Sequence, residues 1–258
     1  MHTNHPPISA VIIANNASRS IGEVVTAMKW CDEVLVVDSG STDNTVELCK
    51  TLGCTIIYHK FESYGQQKYF AVSQAKNDWV WVIDSDEIAT TEIIEEAKEK
   101  ISSGKYVGLM VPISLVFVGK LLRFGNEFKK PHLRLFNRKY GNYNDSLVHE
   151  DVILEGKIGK LHNHVLHYSY YNIDDYFKKF NSYTTHAAQQ MQSQNKNVNI
   201  LSAIIKLPFQ FIILYIFRGL ILDGIQGLLW ATFSSWYSFV KYIKLWEMNH
   251  MKNKKTTQ

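Results

Sequence analysis

Two β-prone runs in this chain end on an aspartate, and each aspartate opens a short polar stretch. Asp38 begins DSGSTD (38–43), and Asp84 begins DSDE (84–87) directly after the apolar WVWVI (79–83). Carboxylates gathered at one edge of a sheet suit a hard divalent cation, which takes oxygen ligands and shares them with phosphates. A single aspartate there is as readily a helix cap. For Asp38 or Asp86 alone the cap is the simpler reading, but acids repeated straight after a buried strand point to a metal–phosphate site. Further along, Lys130, His132, Arg134 and Arg138 cluster on an alternating segment. Alternation puts His132, Arg134 and Phe136 on one face and Leu133 and Leu135 on the other. Such a basic face suits a phosphorylated partner, since arginine grips phosphate with two parallel hydrogen bonds. His149, Glu150 and Asp151 add three adjacent titratable groups. In HNHVLH (162–167), His162 and His164 share one strand parity and His167 takes the other, a weak zinc pattern at best. The three cysteines show no paired metal-ligand spacing and form no disulfide framework, which fits a reducing compartment.

The elements that must hold these groups alternate. Short continuous apolar runs at 8–14, 32–38, 54–58 and 79–83 read as strands buried on both faces. Helical stretches fall between and after them, at 21–29, 45–52, 66–75 and 90–102. Asp43 or Asn44 is the expected N-cap of the second, and Gly53 its stop. The fourth carries acids in its first turns and lysines near its end, as the helix dipole prefers. Strands alternating with helices mean βαβ units, with ligands at the C-terminal ends of the strands. Asp38 and Asp84 then share one sheet edge. Residues 106–168 read as the second half of the sheet plus an irregular substrate region.

The last third differs. The chain has 258 residues, a net charge of +4 and 13% aromatic residues, and the aromatics concentrate toward the C-terminus. Residues 173–246 read as helical, so the expected division is a catalytic domain over 1–172 and a helical region over 173–258. The apolar run 207–222 is short for a membrane span and is broken by Pro208, Gln210, Arg218 and Gly219. Trp230, Trp236, Tyr237, Tyr242 and Trp246, with Lys241, Lys244, Lys252, Lys254 and Lys255, read instead as an aromatic and basic membrane face. A packed helical subdomain or a homodimer interface is the competing reading. The first residues carry no signal-peptide pattern, and nothing in the charge pattern calls for a nucleic-acid partner.

The motifs ISAVIIA (8–14), VVDSGSTD (36–43), GQQKYFA (65–71) and DWVWVIDSDE (78–87) occur in the order found in family 2 glycosyltransferases, which the sequence resembles. KPHLRLFNR (130–138), VHED (148–151), LHYSY (166–170), LDGIQGLLWA (222–231) and KYIKLWE (241–247) resemble, within that family, the lipopolysaccharide-core enzymes that glucosylate an inner-core heptose. The resemblance implies a GT-A fold, a Rossmann-like nucleotide-sugar-binding α/β sheet flanked by helices, with an aromatic-rich helical C-terminal region. It implies an inverting enzyme that takes a UDP-sugar, uses Mn²⁺ or Mg²⁺, and works at the cytoplasmic face of the bacterial inner membrane on a lipid-linked acceptor. A polyisoprenyl-phosphate acceptor and an inactive membrane scaffold are the alternatives. A sugar-phosphate nucleotidyltransferase fits poorly, because no glycine follows the first strand until Gly22.

Residue by residue, the resemblance assigns Asp38 to the uracil, with Ala14 and Asn15 bordering the base. Lys68 faces the diphosphate. Asp84 and Ser85 contact the donor, Asp86 holds the metal, and Asp84 assists directly or through water. Glu150 is the expected base and Asp151 the second choice. Lys130, His132, Arg134, Arg138, His149 and His167 are expected at the acceptor or at phosphate. Relatives often carry Asn-Glu after the first strand, where this chain has Asn15-Asn16.

Overall fold

The computed structural model describes residues 5–143 and 151–256, with side chains through Met251. The chain divides into two compact units, Met1–Ser114 with Lys129–Tyr168, and Leu115–Phe128 with Ser169–Gln258. Residues 115–128, expected within the catalytic part, fall in the second unit.

The first unit is a mixed α/β layer structure. Strands β1 (Ile8–Ala14), β2 (Glu33–Asp38), β3 (Thr55–Tyr58) and β4 (Trp79–Asp84) are parallel, in spatial order β3-β2-β1-β4. Helices α1 (Ile21–Met28), α2 (Thr45–Thr51) and α3 (Tyr64–Gln74) connect them. Then come β5 (Glu87–Ala89), α4 (Thr91–Ser102), β6 (Gly108–Phe117), β7 (Lys120–Leu121) and β8 (Lys130–Asn137). β8 runs antiparallel between β4 and β6. The pair β9 (Gly141–Tyr143) and β10 (Val152–Leu154) stands apart, β11 (Ile158–Lys160) lies parallel to β6, and β12 (Val165–Tyr170) pairs antiparallel with β5.

The apolar runs are continuous because both faces of the parallel strands are covered. Side chains alternate across a strand, so β1 sends Ile8, Ala10 and Ile12 into one core and Val11 and Ile13 into another. The first core is closed by Ile21, Val24, Val25 and Met28 of α1 and by Ile93, Ala97 and Ile101 of α4. The second is closed by Ala71 and Val72 of α3. Each fully buried large apolar side chain contributes on the order of 1.5–3 kcal/mol, and these contacts fix which sheet edge the strand-end acids occupy. The register pairs Ala14 with Asp38 and Ile13 with Asp84, so the two aspartates flank the end of β1 on one edge.

One local expectation changes, and the α2 cap falls on one of its two expected residues. His162 and His164 precede β12 rather than lying in it. His162 Nδ1 is 2.8 Å from Glu96 Oε1, and His164 Nδ1 is 2.8 Å from Ser114 Oγ. The chain therefore uses them to fix a loop. Among the described residues, no three His, Cys, Asp or Glu side chains are grouped as a metal cage. Asn44 stands at the α2 N-cap without a side-chain bond, while Asp43 Oδ1 accepts from the Thr45 N–H at 3.0 Å.

The second unit is helical, with α5 (Ile173–Ser193), α6 (Ile200–Ile212) and α7 (Gly224–Thr256). α6 runs on through a π-helical turn, Ile213–Phe217, then a left-handed Gly219 (φ +77°) and a 3₁₀ turn, Leu220–Asp223. The turn is pinned by Asp223, which is 2% exposed. Its carboxylate accepts the backbone N–H groups of Arg123 (3.1 Å) and Phe124 (3.0 Å), and its carbonyl accepts Lys120 Nζ (2.6 Å). A Cβ on Gly227 would sit 1.9 Å from the Leu220 carbonyl oxygen. The DGIQG signature (223–227) thus has a structural cause: a buried anchor, and a glycine where two backbones touch.

Much of the C-terminal aromatic content is internal. Phe117, Tyr170, Tyr176, Trp230 and Phe233 form one cluster, with Phe117 and Trp230 centroids 5.2 Å apart and Tyr176 and Phe233 4.9 Å apart. Trp230 therefore belongs to a core and not to the membrane face expected of it. Lys244 is likewise committed inward, donating to Thr184 Oγ1, Thr185 Oγ1 and Asn181 on α5.

Candidate donor and metal site

The site is built at the C-terminal edge of β1, β2 and β4. Asp38 is 5% exposed. Its Oδ2 accepts from the N–H groups of Gly40 (2.8 Å) and Ser41 (2.9 Å), folding the chain back at once. Gly40, at φ +96°, allows that turn. The loop after β1 is tied to the loop after β2. Asn16 Oδ1 accepts the Thr42 N–H at 2.8 Å, and Ser41 Oγ accepts the Asn16 N–H at 2.9 Å. Asp43 Oδ2 accepts the Ser18 N–H at 3.1 Å. Burial works against ionising Asp43, but bonds from Thr45 and Ser18 outweigh it and hold the carboxyl at about 2. Asn16, which stands where relatives carry an acid, is thus a cross-link between two loops. Ala14 is buried and Asn15 exposed on the same rim.

Helix α3 contributes two buried polar side chains. Ser63 caps it by accepting the Gln66 N–H at 3.2 Å. Gln67 is 1% exposed and donates to Ser39 Oγ (3.1 Å) and to the His59 carbonyl (3.2 Å), holding the loop that follows Asp38. Lys68 is 2% exposed, with Nζ 3.2 Å from Asp84 Oδ1. The other Asp84 oxygen meets Arg134 of β8 at 2.9 Å, and Arg134 reaches Tyr143 OH at 3.5 Å. Burial would raise the Asp84 pKa, but Arg134 and then Lys68 overcome it and hold the carboxyl well below the usual range. Glu87, 3% exposed, accepts the Asp84 N–H at 3.0 Å. Its own pKa is raised, by burial first and by the Asp84 charge second.

Asp86 points its carboxylate at His167, with Oδ1 3.3 Å from Nε2. The backbone fixes this approach. β12 lies antiparallel to β5 with His167 opposite Glu87, and the Tyr168 N–H donates to the Asp86 carbonyl at 2.8 Å. Burial opposes protonation of His167, yet its bond to Asp86 and the charges of Asp86, Glu87 and Asp84 raise its pKa. His132 goes the other way. Burial, then Arg134 and Lys130, lower it to about 4, so it is neutral near pH 7.

The predicted residues therefore separate. Asp38, Lys68, Asp84, Asp86, Arg134 and His167 come together around the strand ends, with Ser85 half-buried among them. Lys130 and Asp151 are exposed. His149 and Glu150 lie outside the described residues. Arg138 is a correction: β8 runs antiparallel to β4, so its far end lies beside the start of β4. The Arg138 N–H donates to the Asp78 carbonyl at 2.8 Å, and its guanidinium donates to the carbonyls of Val72 (3.1 Å) and Ser73 (3.2 Å) at the end of α3. It caps a helix at the opposite edge. Gln67, Glu87 and Tyr143 were missed. A polar residue on the buried side of a helix has no local signature, although the QQK triplet in α3 was a hint.

An open cleft of about 790 Å³ between α1 and the start of α4 contains none of these residues.

The donor set does fit a divalent cation. Asp86 supplies carboxylate oxygen, and His167 would supply imidazole nitrogen once a cation displaces the proton it shares with Asp86; Mn²⁺ accepts such a pair, and phosphate oxygens complete such sites in place of a closed protein cage.

A sheet whose parallel half ends in acids, beside an antiparallel strand carrying an arginine, sets carboxylates and cations together at one edge. Residues 9–152 match the family model for glycosyl transferase family 2, and the chain belongs to that family. Over 254 residues it is 30% identical to the lipopolysaccharide core biosynthesis glycosyltransferase LpsC of Rhizobium meliloti, covering 95% of this chain and 94% of that one. An uncharacterised glycosyltransferase of Rickettsia prowazekii is 28% identical over 263 residues, 94% of this chain and 87% of its own. Among solved structures, S. aureus TarS matches with a TM-score of 0.48 at 15% identity, over 70% of this chain and 39% of that one. The fold itself is a mixed α/β sheet flanked by helices, with a helical C-terminal region.

Proposed function

We propose that this enzyme is an inverting hexosyltransferase that moves glucose from UDP-glucose to a heptose of the lipopolysaccharide inner core at the cytoplasmic face of the inner membrane. One observation carries the reading: Asp84 and Asp86 end the parallel half of the sheet with Lys68, Arg134 and His167 gathered around them, in a chain related along nearly its whole length to a lipopolysaccharide core enzyme.

In this reading the rim formed by Ala14, Asn15 and the Asp38 turn receives the uracil and ribose. Asp86 and His167 hold Mn²⁺ or Mg²⁺, with Asp84 and Ser85 alongside. When bound, the cation supplies electrophilic stabilisation of the charge that develops on the departing diphosphate. Lys68 and Arg134 add fixed positive charge at the same edge. Inversion is one in-line displacement, so a single carboxylate must take the acceptor hydroxyl's proton as the new bond forms. That role falls to Glu150, with Asp151 as second choice, and Lys130, His132 and His149 are assigned to binding the phosphorylated acceptor.

The test is UDP release with Mn²⁺, a truncated core lipopolysaccharide and a panel of UDP-sugars. UDP-glucose should turn over fastest, and Asp86→Ala should abolish turnover. Equal turnover in wild type and variant would end the metal-dependent reading, and preference for a polyisoprenyl phosphate would replace the acceptor.

A further inference from the structure

α6 and the turns after it carry an apolar face that nothing in the second unit covers. Leu201, Ile205, Phe209, Ile212, Ile216 and Phe217 recur at helical spacing and are 40–78% exposed, and Ile221, Leu222 and Ile225 continue the patch. The opposite side of α6 packs on α7: Ala203, Leu207 and Gln210 line a cavity of about 160 Å³ with Ser235, Ser238 and Phe239. Ala203 is 1% exposed and Leu214 8%. By length and composition Ile200–Phe217 could cross a membrane, but only 11% of it is buried, so it is not the core helix of this unit. Soluble monomers rarely leave apolar patches beyond a few hundred Å² open to water.

The charge pattern identifies what covers it. Between residues 176 and 246 the one acid is Asp223. It is 2% exposed and spent on backbone N–H groups, so it offers no surface charge. The same span carries Lys178, Lys179, Lys196, Lys206, Arg218, Lys241 and Lys244. Lys206 and Arg218 are exposed and border the apolar stripe. Lys206 Nζ lies 5.4 Å from the Tyr242 ring, on the α7 side of the helix. The segment that forms this apolar face thus brings cations and no surface acid of its own, which is complementary to an anionic lipid surface. A second copy of the chain would set the same cations against each other.

We infer that α6, with the turn through Ile225, lies in the plane of an anionic bilayer as a monotopic anchor, its apolar face among the acyl chains and Lys206 and Arg218 at the headgroups. Lys206, Pro208 and Gln210 at mid-helix, and the packing on α7, favour lying over crossing. The anchor deepens the reading of a lipid-linked acceptor and relocates the membrane contact from the lysine-rich tail to α6.

The experiment uses the full chain with extruded phosphatidylglycerol/phosphatidylethanolamine vesicles, and with phosphatidylcholine vesicles as control. Wild type should float with the anionic vesicles and less with the neutral ones. The quadruple variant Leu201→Gln/Phe209→Gln/Phe217→Gln/Leu222→Gln should lose about tenfold or more in partitioning, with unchanged circular dichroism and thermal midpoint, since each replaced side chain is exposed. Lys206→Gln/Arg218→Gln should weaken binding to anionic vesicles alone. UDP release on a delipidated core oligosaccharide is read in parallel. It stays at wild-type level in both variants if the anchor and the catalytic reading are both right, and it is absent in wild type if the catalytic reading alone fails. Three outcomes overturn the anchor: no flotation of wild type, equal flotation of the quadruple variant, or a lipid-free dimer that this variant dissolves. Resistance to alkaline carbonate extraction would replace lying with crossing.

Discussion

Replacing Asp84 by asparagine should damage the fold as well as the reaction. Its two oxygens stand 3.2 Å from Lys68 Nζ and 2.9 Å from an Arg134 nitrogen, and those side chains are 2% and 10% exposed. At such distances each pair has a gross attraction of about 5 kcal/mol at an effective dielectric of about 20. Most of that is offset by the desolvation of the charges, so the pair adds little net stability while intact. Removing the carboxylate is different, because both buried cations then lose the counter-charge they share. The expected loss is about 3 kcal/mol, the scale for removing one partner of a buried ion pair. Urea unfolding followed by tryptophan fluorescence reads it as a lower midpoint at an unchanged slope. Lys68→Met in the Asp84→Asn background removes one stranded cation and should recover about 1 kcal/mol, whereas Lys68→Met alone should destabilise. An Asp84→Asn protein within about 0.5 kcal/mol of wild type would refute the reasoning, since surface pairs contribute no more than that.

His167→Ala should raise the Mn²⁺ concentration needed for half-maximal UDP release by about tenfold or more, and an unchanged metal titration would remove His167 from the cation's ligands. Gly227→Ala drives a Cβ to 1.9 Å from the Leu220 carbonyl oxygen, so differential scanning calorimetry should show a loss of about 3 kcal/mol or more. Glu96 gives a pH dependence. Burial alone would raise its pKa, but the N–H groups of Asn163 and His162 and the His162 ring hold it at about 2 against an ordinary 4.5. A depressed carboxylate contributes stability that is present above its unfolded pKa and lost as pH falls through the folded value. Wild type should thus lose about 2 kcal/mol between pH 5 and pH 2 that Glu96→Gln lacks throughout, and identical acid-unfolding curves for the two would exclude this.

Strands buried on both faces were legible because burial leaves only apolar residues, and β1 has the limits its sequence gave. The helices shifted by one or two residues, since end turns hinge on local caps. The strand-end acids were legible for the same reason as the strands: each is the first polar residue after a buried run. The cations that face them were not. Arg134 meets Asp84 across fifty residues of chain, and parity told which face it shared without telling which strand it would join. That Lys68 would be buried against Asp84 was hidden because α3 is weakly amphipathic, two of its buried positions being Gln67 and Lys68. Arg138 went wrong because alternation was extended past the end of β8 into a 3₁₀ turn. Residues 115–128 went to the other unit because an apolar strand end does not say what it will pack against.

The place of β8 has a consequence for how the enzyme is made. A growing chain releases Lys68 and Asp84 well before Arg134, and the exposed edge of β4 waits for the same strand that carries the arginine. Until β8 inserts, β4 has an open edge and Asp84 has half its counter-charge. Closing the sheet and completing the charged cluster of the candidate site are therefore one event, and an unfinished chain has neither.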